Sequence, residues 1–220
     1  MSRNAAWRRQ RLHDARLYVV TDARTCGDDL ASFVDAVLRG GADIIQLRDK
    51  QAEAGDLLRW SETFRNAAER YAALFIVNDR PDVSLAAGAD GVHLGQNDLP
   101  LAVAREILGG ESIIGLSTHS IEQLSAAPPE ADYLCAGPVY ETPTKPGRRA
   151  SGLELVRAAT TRSESGLETR PWFAIGGIDE HTLPSVLDAG ARRVAVVRAV
   201  AHGDIEARTR ALKARLDEGL

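Results

Sequence analysis

Gly41-Ala42-Asp43-Ile44-Ile45-Gln46-Leu47-Arg48-Asp49-Lys50 contains the unit from which the chain is built. Glycine ends a preceding helix, because it alone takes the left-handed position after the last turn at little cost. The small alanine then lets the chain turn into a sheet. Ile44 to Leu47 is a short β-branched run of the kind that forms a buried strand, and charged residues follow at its exit. Outward from this stretch, similar apolar runs recur at Leu17-Thr21, Leu74-Val77, Gly91-Leu94, Ile113-Ser117, Tyr133-Ala136, Trp172-Ile175 and Val194-Val197, making eight with Asp43-Leu47. Amphipathic segments such as Leu30-Arg39, Asp56-Tyr71, Leu101-Leu108, Leu153-Arg162 and Thr182-Asp188 lie between them. Strands alternating with helices imply crossover connections and a parallel sheet. Eight units favour a closed α/β (β/α)8 TIM barrel over an open doubly wound sheet. Gly88-Ala89-Asp90, Ala131-Asp132 and Gly190-Ala191-Arg192 echo the opening motif before strands 4, 6 and 8.

The bulk composition agrees with one barrel. The 220 residues suit a single domain over 1–220, with 1–15 as a short N-terminal helical extension. Hydrophobic residues are 44% and charged residues 26%, as in ordinary globular chains. Aromatics are 5%, which disfavours stacking platforms for nucleic acid. The formal charge of −4 gives no bulk field for anions, so any phosphate site must be local. Cys26 and Cys135 have no metal-ligand spacing and read as reduced thiols. Neither a signal peptide nor an apolar run near the roughly 18 residues needed to span a bilayer is present. The expectation is a cytoplasmic protein that acts on small molecules, without nucleic acid or membrane partners; a homo-oligomer is compatible with the sequence.

In a barrel of this kind the functional side chains gather where strands end. Side chains alternate faces along a strand, so Ile44, Gln46 and Arg48 share one face, and Ile45 and Leu47 share the helix-facing side. Gln46 and Arg48 then point into the barrel mouth, with Lys50 just above. An interior arginine needs an anionic partner, either a multiply charged phosphate or a neighbouring aspartate. The third strand exits into Asn78-Asp79-Arg80 and the fourth into His93-Leu94-Gly95-Gln96-Asn97-Asp98. Asp79 and Asp98 thus reach one rim. Two carboxylates with a diphosphate suit Mg²⁺, although Asp79 could instead pair with Arg80, and Asp98 could cap a helix from Leu99. His93 reads equally as a ligand contact or a core histidine. Ser117 can hydrogen-bond a heterocycle, Ser120 resembles an N-cap, and His119 reads as a loop residue. No Ser-His-Asp spacing marks a nucleophilic triad. The sixth strand leads into a long loop with Thr142-Pro143-Thr144-Lys145 and the basic Arg148-Arg149. Long loops of this type are usually functional or disordered. Gly176-Gly177 lets backbone N–H groups approach a phosphate, at the loops after strands 7 and 8 where this fold often binds one.

Taken together, Gln46-Leu47-Arg48-Asp49-Lys50, Asn78-Asp79-Arg80, Gly91-Val92-His93-Leu94-Gly95-Gln96-Asn97-Asp98, Gly115-Leu116-Ser117-Thr118-His119-Ser120, Gly137-Pro138-Val139, Thr142-Pro143-Thr144-Lys145 and Ile175-Gly176-Gly177-Ile178 resemble the thiamine phosphate synthase family, over residues 16–202. The resemblance implies a Mg²⁺-dependent transferase of thiamine biosynthesis. That family joins 4-amino-2-methyl-5-(diphosphooxymethyl)pyrimidine to a thiazole phosphate and releases diphosphate. It implies that Gln46, Leu47, Arg48, Asp49, Lys50, Asn78, Ser117 and Lys145 hold the pyrimidine diphosphate. It implies Asp79 and Asp98 as metal ligands. Thr142, Pro143, Thr144, Gly177, Val197 and Arg198 are implied as the thiazole phosphate site. Many relatives carry serine where this chain has Arg198; a backbone contact survives that change and a hydroxyl contact does not.

The residues suit a dissociative reaction in which cations meet charge growing on the departing diphosphate, while the loop from Thr142 to Ala150 closes over the substrates. Two alternatives share the fold. A thiazole tautomerase would use a base, for which His119 is the local candidate, and would need no diphosphate site. A non-catalytic barrel that binds thiamine precursors would lack the metal or loop lysine. A barrel aldolase would want a lysine inside a strand, and none occurs there.

Overall fold

The computed structural model describes residues 3–24, 29–142 and 150–218. Eight parallel strands, β1 (Leu17–Thr21), β2 (Ile44–Leu47), β3 (Leu74–Asn78), β4 (Gly91–Leu94), β5 (Ile113–Thr118), β6 (Tyr133–Ala136), β7 (Trp172–Ile175) and β8 (Val194–Val196), form a closed barrel in chain order. Closure is made by β1 against β8, with Tyr18 opposite Ala195. The helices are α1 (Ala5–Asp14), α2 (Leu30–Arg39), α3 (Ala54–Arg70), α4 (Pro81–Ala87), α5 (Leu101–Leu108), α6 (Ile121–Ser125), α7 (Gly152–Glu164), α8 (Leu183–Asp188) and α9 (Ile205–Glu218). The (β/α)8 architecture expected from the eight apolar runs is therefore present. The strands begin and end within one residue of those runs.

Alternation along the strands separates two cores. Leu17, Val19, Ile45, Leu47, Phe75, Val77, Ile114, Leu116 and Leu134 face the helices and join the larger outer cluster. Tyr18, Val20, Ile44, Leu74, Ile76, Ile113, Tyr133, Cys135, Phe173 and Ala195 fill the barrel interior. Gly115 on β5 makes room for this packing: a Cβ there would lie 2.0 Å from Cζ of Tyr133. Leu12 and Ala15 join the interior cluster, so α1 plugs the end of the barrel where the strands begin.

The Gly-Ala-Asp echo has a physical role at that end. Gly41, Gly88 and Gly190 have φ of 99°, 64° and 100°, backbone that glycine adopts freely. The aspartates tie neighbouring strands together. Asp43 accepts from the amides of Arg16 and Leu17 at 2.8 and 3.0 Å, Asp90 from Phe75 at 2.9 Å, and Asp132 from Ile114 at 2.8 Å. Each also meets a cation: Lys213 at 2.8 Å for Asp43, Arg3 and Arg8 for Asp90, and Arg105 at 2.7 Å for Asp132. At β8 the echo carries Arg192 instead. Among the described residues no helix is long and apolar enough to cross a membrane.

Candidate active site

The opposite end of the barrel, where the strands exit, opens into a cavity of about 770 Å³. Of the residues singled out in the sequence, Gln46, Arg48, Lys50, Asn78, Asp79, Asp98, Ser117, Thr142, Gly177, Val197 and Arg198 all line it. Leu47 does not; it is fully buried between barrel and helices. Asp49 lies outside the lining, and its Oδ1 accepts from the Gln51 amide at 3.2 Å. Pro143, Thr144, Lys145, Arg148 and Arg149 lie outside the described residues.

The two rim carboxylates stand side by side. Asp79 follows β3 with φ of 62°, a left-handed conformation, and its amide donates to the carbonyl of His93 at 2.9 Å. Aspartate tolerates this region better than most residues. The turn directs its carboxylate to Asp98 and to Nζ of Lys50, 2.7 Å away. Arg80 pairs with Asp82 instead, at 2.6 Å. Asp98 does not cap a helix: α5 begins only at Leu101, preceded by Pro100, and Asp98 accepts from the Gly95 amide at 2.6 Å. Burial raises the Asp79 pKa above the ordinary carboxylate range; Asp98 adds to this, and Lys50 only partly offsets it. For Asp98, burial pushes upward, but the bond with Asp79, the Gly95 amide and Lys50 together hold it below its ordinary value. The pair therefore keeps a proton on Asp79 to higher pH than an isolated carboxyl would.

Among the described residues no group of three or more His, Cys, Asp or Glu side chains gathers as a metal cage. Two adjacent carboxylates facing an open cavity fit Mg²⁺, which commonly takes one or two carboxylates and completes its shell with water and substrate phosphate. Arg48 makes no ion pair among the described residues, so its guanidinium is available to an anion in the cavity.

Beyond β6 the chain is pinned on both sides of the long loop. Val139 and Tyr140 donate to the carbonyls of Ile175 and Gly176 at 2.8 and 3.0 Å. On the return, Ser151 donates to the carbonyl of Pro138 at 2.7 Å through its amide and to that of His119 at 2.8 Å through its hydroxyl. His119 lines the cavity rather than an outer loop, and Ser120 caps α6 by accepting from the Gln123 amide at 3.2 Å. Gly176 and Gly177 have φ of 104° and 67°, and added Cβ atoms would lie 2.5 Å from Cα of Pro138 and 2.7 Å from Cβ of Tyr140. Close backbone approach thus excludes any larger residue there.

The floor of the cavity contains side chains that the strand-exit reading passed over. Tyr18 and Tyr133 are fully buried and lie beside His93, which is 6% exposed. Alternation would have turned both tyrosines inward. What remained hidden was that β1 and β6, distant in sequence and not adjacent in the barrel, bring their hydroxyls together. Gln96, His202 and Arg208 also line the cavity.

Comparison with known proteins agrees with this geometry. Residues 17–200 match the family described as Thiamine monophosphate synthase. The chain is 55% identical over 204 residues to the thiamine-phosphate synthase of Mycobacterium bovis, covering 88% of this chain and 90% of that one. It is 53% identical over 192 residues to that of Acidothermus cellulolyticus, covering 86% and 89%. A thiamine phosphate pyrophosphorylase structure from Pyrococcus furiosus superposes with a TM-score of 0.83 at 38% identity, covering 96% of this chain and 98% of that one.

Proposed function

The chain belongs to the thiamine monophosphate synthase family and is a transferase of thiamine biosynthesis, and from that premise we propose that its cavity joins 4-amino-2-methyl-5-(diphosphooxymethyl)pyrimidine to a thiazole phosphate, with release of diphosphate. The observation that carries the reading is the convergence of Arg48, Lys50, Asp79 and Asp98 with Gln46, Asn78 and Ser117 around one cavity. Scattered placement of these residues would have left no diphosphate site.

In this reading Asp79 and Asp98 hold Mg²⁺, which supplies charge neutralisation for the diphosphate when bound. Arg48, Lys50 and, by resemblance, Lys145 face the diphosphate oxygens, where negative charge grows as the C–O bond breaks. Donors aimed at developing charge contribute much of the rate in such sites. The aminopyrimidine ring delocalises the methylene cation left behind. The thiazole nitrogen then donates its electron pair to that carbon, forming the new C–N bond. Gly177, Thr142 and the backbone of Val197 and Arg198, with Pro143 and Thr144 by resemblance, hold the thiazole phosphate. No covalent nucleophile is required; alignment of the two substrates supplies the rest.

The isomerase alternative needs neither Asp79 nor Arg48, and the family match favours the synthase. The test is direct. Purified protein is mixed with both precursors, with and without Mg²⁺, and thiamine phosphate and diphosphate are quantified. Metal-dependent, equimolar formation of both supports the proposal, and absence of thiamine phosphate with Mg²⁺ present overturns it.

A further inference from the structure

Five polar side chains cross the cavity floor in one hydrogen-bonded chain. Gln46 Nε2 donates to the Tyr18 hydroxyl, and the Tyr18 and Tyr133 hydroxyls are 3.0 Å apart. The Tyr133 hydroxyl lies 3.0 Å from Nδ1 of His93, and Nε2 of His93 lies 2.9 Å from Oγ of Ser117. Both tyrosines are fully buried, while Gln46, His93 and Ser117 are 2%, 6% and 5% exposed. Buried polar groups left without partners are costly, so each proton in the chain needs an acceptor.

With Nε2 of Gln46 facing Tyr18, that requirement gives the chain a direction. The Gln46 N–H can only donate, so Tyr18 accepts there and passes its own proton toward Tyr133. Tyr133 then donates to Nδ1 of His93. Nε2 of His93 keeps its hydrogen and donates to Ser117. The opposite direction would need the Gln46 amide turned so that Oε1 accepts from Tyr18, and would put the His93 hydrogen on Nδ1. Burial raises both phenol pKa values, so both protons stay in place. At the ends, Ser117 has its hydroxyl hydrogen left to give. Gln46 has its Oε1 left to accept, with no hydrogen-bond partner among the described residues. Both residues line the cavity.

We infer that Tyr18 and Tyr133 are positioning residues that carry one hydrogen-bond direction across the barrel floor, so that Ser117 offers its proton to a ring nitrogen of the aminopyrimidine and Gln46 offers its carbonyl oxygen to the exocyclic amino group. This rests on the synthase reading. Neither tyrosine touches the reacting atoms. Each keeps a contacting side chain from rotating into the wrong donor or acceptor state.

Two measurements test it. In the full chain, Tyr18→Phe and Tyr133→Phe each raise KM for the pyrimidine diphosphate about tenfold, the effect of losing one well-placed hydrogen bond. KM for the thiazole phosphate stays within about twofold under the same uniform-binding logic. Tyr133→Phe adds little in a Ser117→Ala background, because both act through one chain. Separately, ¹⁵N NMR of histidine-labelled unaltered protein finds the His93 hydrogen on Nε2. Folded tyrosine variants with both KM values unchanged overturn the inference, as does a His93 hydrogen on Nδ1. If the variants do not fold, the His93 tautomer decides alone. Failure of the unaltered protein to form thiamine phosphate would instead refute the synthase reading, which the tautomer measurement does not address.

Discussion

Replacing Asp90 should cost the protein stability and leave its chemistry intact. Asp90 is 2% exposed at the start of β4. Its carboxylate accepts from the Phe75 amide at 2.9 Å, from Nε of Arg3 at 3.1 Å and from Nε of Arg8 at 3.0 Å. Asp90→Ala leaves a buried amide unpaired, worth about 1–3 kcal/mol. It also strips the partner from two guanidiniums whose side chains are 20% and 16% exposed. Breaking a buried ion pair costs about 3–5 kcal/mol, but these arginines can turn toward water, so the low end applies. The losses overlap, giving about 3–4 kcal/mol in all, or roughly 10 °C in Tm for a chain of this size. Asp90→Asn keeps an oxygen for the Phe75 amide and should cost about half as much. His93, three residues further along β4, lies roughly 10 Å away at the cavity floor. Thermal melts followed by circular dichroism, with thiamine phosphate formation at 25 °C in parallel, read the two effects separately. A Tm loss under about 2 °C, or a tenfold fall in kcat without unfolding, would refute the reasoning.

The remaining predictions concern the cavity and the barrel interior. Arg48→Ala should lower kcat/KM by about 10²-fold or more with an unchanged melt, as for loss of one charge-stabilising donor; near-normal turnover would refute its role at the diphosphate. Asp79→Asn should stabilise the metal-free protein at neutral pH. The raised Asp79 pKa means that the fold disfavours its carboxylate; the native aspartate loses stability as pH rises from its unfolded pKa to that raised value, so the neutral isostere gains over this interval and keeps the full gain above it. The gain should vanish below the ordinary aspartate pKa of about 3.9, and melts at several pH values, with a Mg²⁺ titration expected to weaken, check both signs. Gly115→Ala should destabilise by about 1–3 kcal/mol through overpacking, since its Cβ would overlap the Tyr133 ring; urea unfolding measures it, and an unchanged midpoint would contradict the packing.

The parts of this molecule that follow local rules were legible in the sequence. Strand alternation placed Gln46 inward and Leu47 outward from residues four or fewer apart. Short or polar helices were harder. Within α6 only Leu124 is buried, and in α9 the buried face is Thr209, Leu212 and Leu216 amid charged residues such as Glu206 and Arg210. The alternative of Asp98 as a helix cap rests on the apolar run that follows it, yet Pro100 delays α5 and frees the carboxylate to turn back to Gly95. Tyr18 and Tyr133 are core aromatics. Their further role depends on 115 residues of intervening chain and on barrel closure. No window of sequence contains that information.

The placement of charge bears on how a chain of net charge −4 can receive an anion at its open end. At the plugged end several cations are paired, Arg3 and Arg8 with Asp90, Lys213 with Asp43 and Arg105 with Asp132, while Arg193 there stands near the like charge of Arg16. At the open end Arg48 and Arg198 line the cavity without an ion-pair partner among the described residues. Exposed charges more than about 8 Å apart are largely screened at physiological salt, so the surplus of surface carboxylates elsewhere is felt only weakly at the mouth. What an approaching anion meets there is set by the nearest groups.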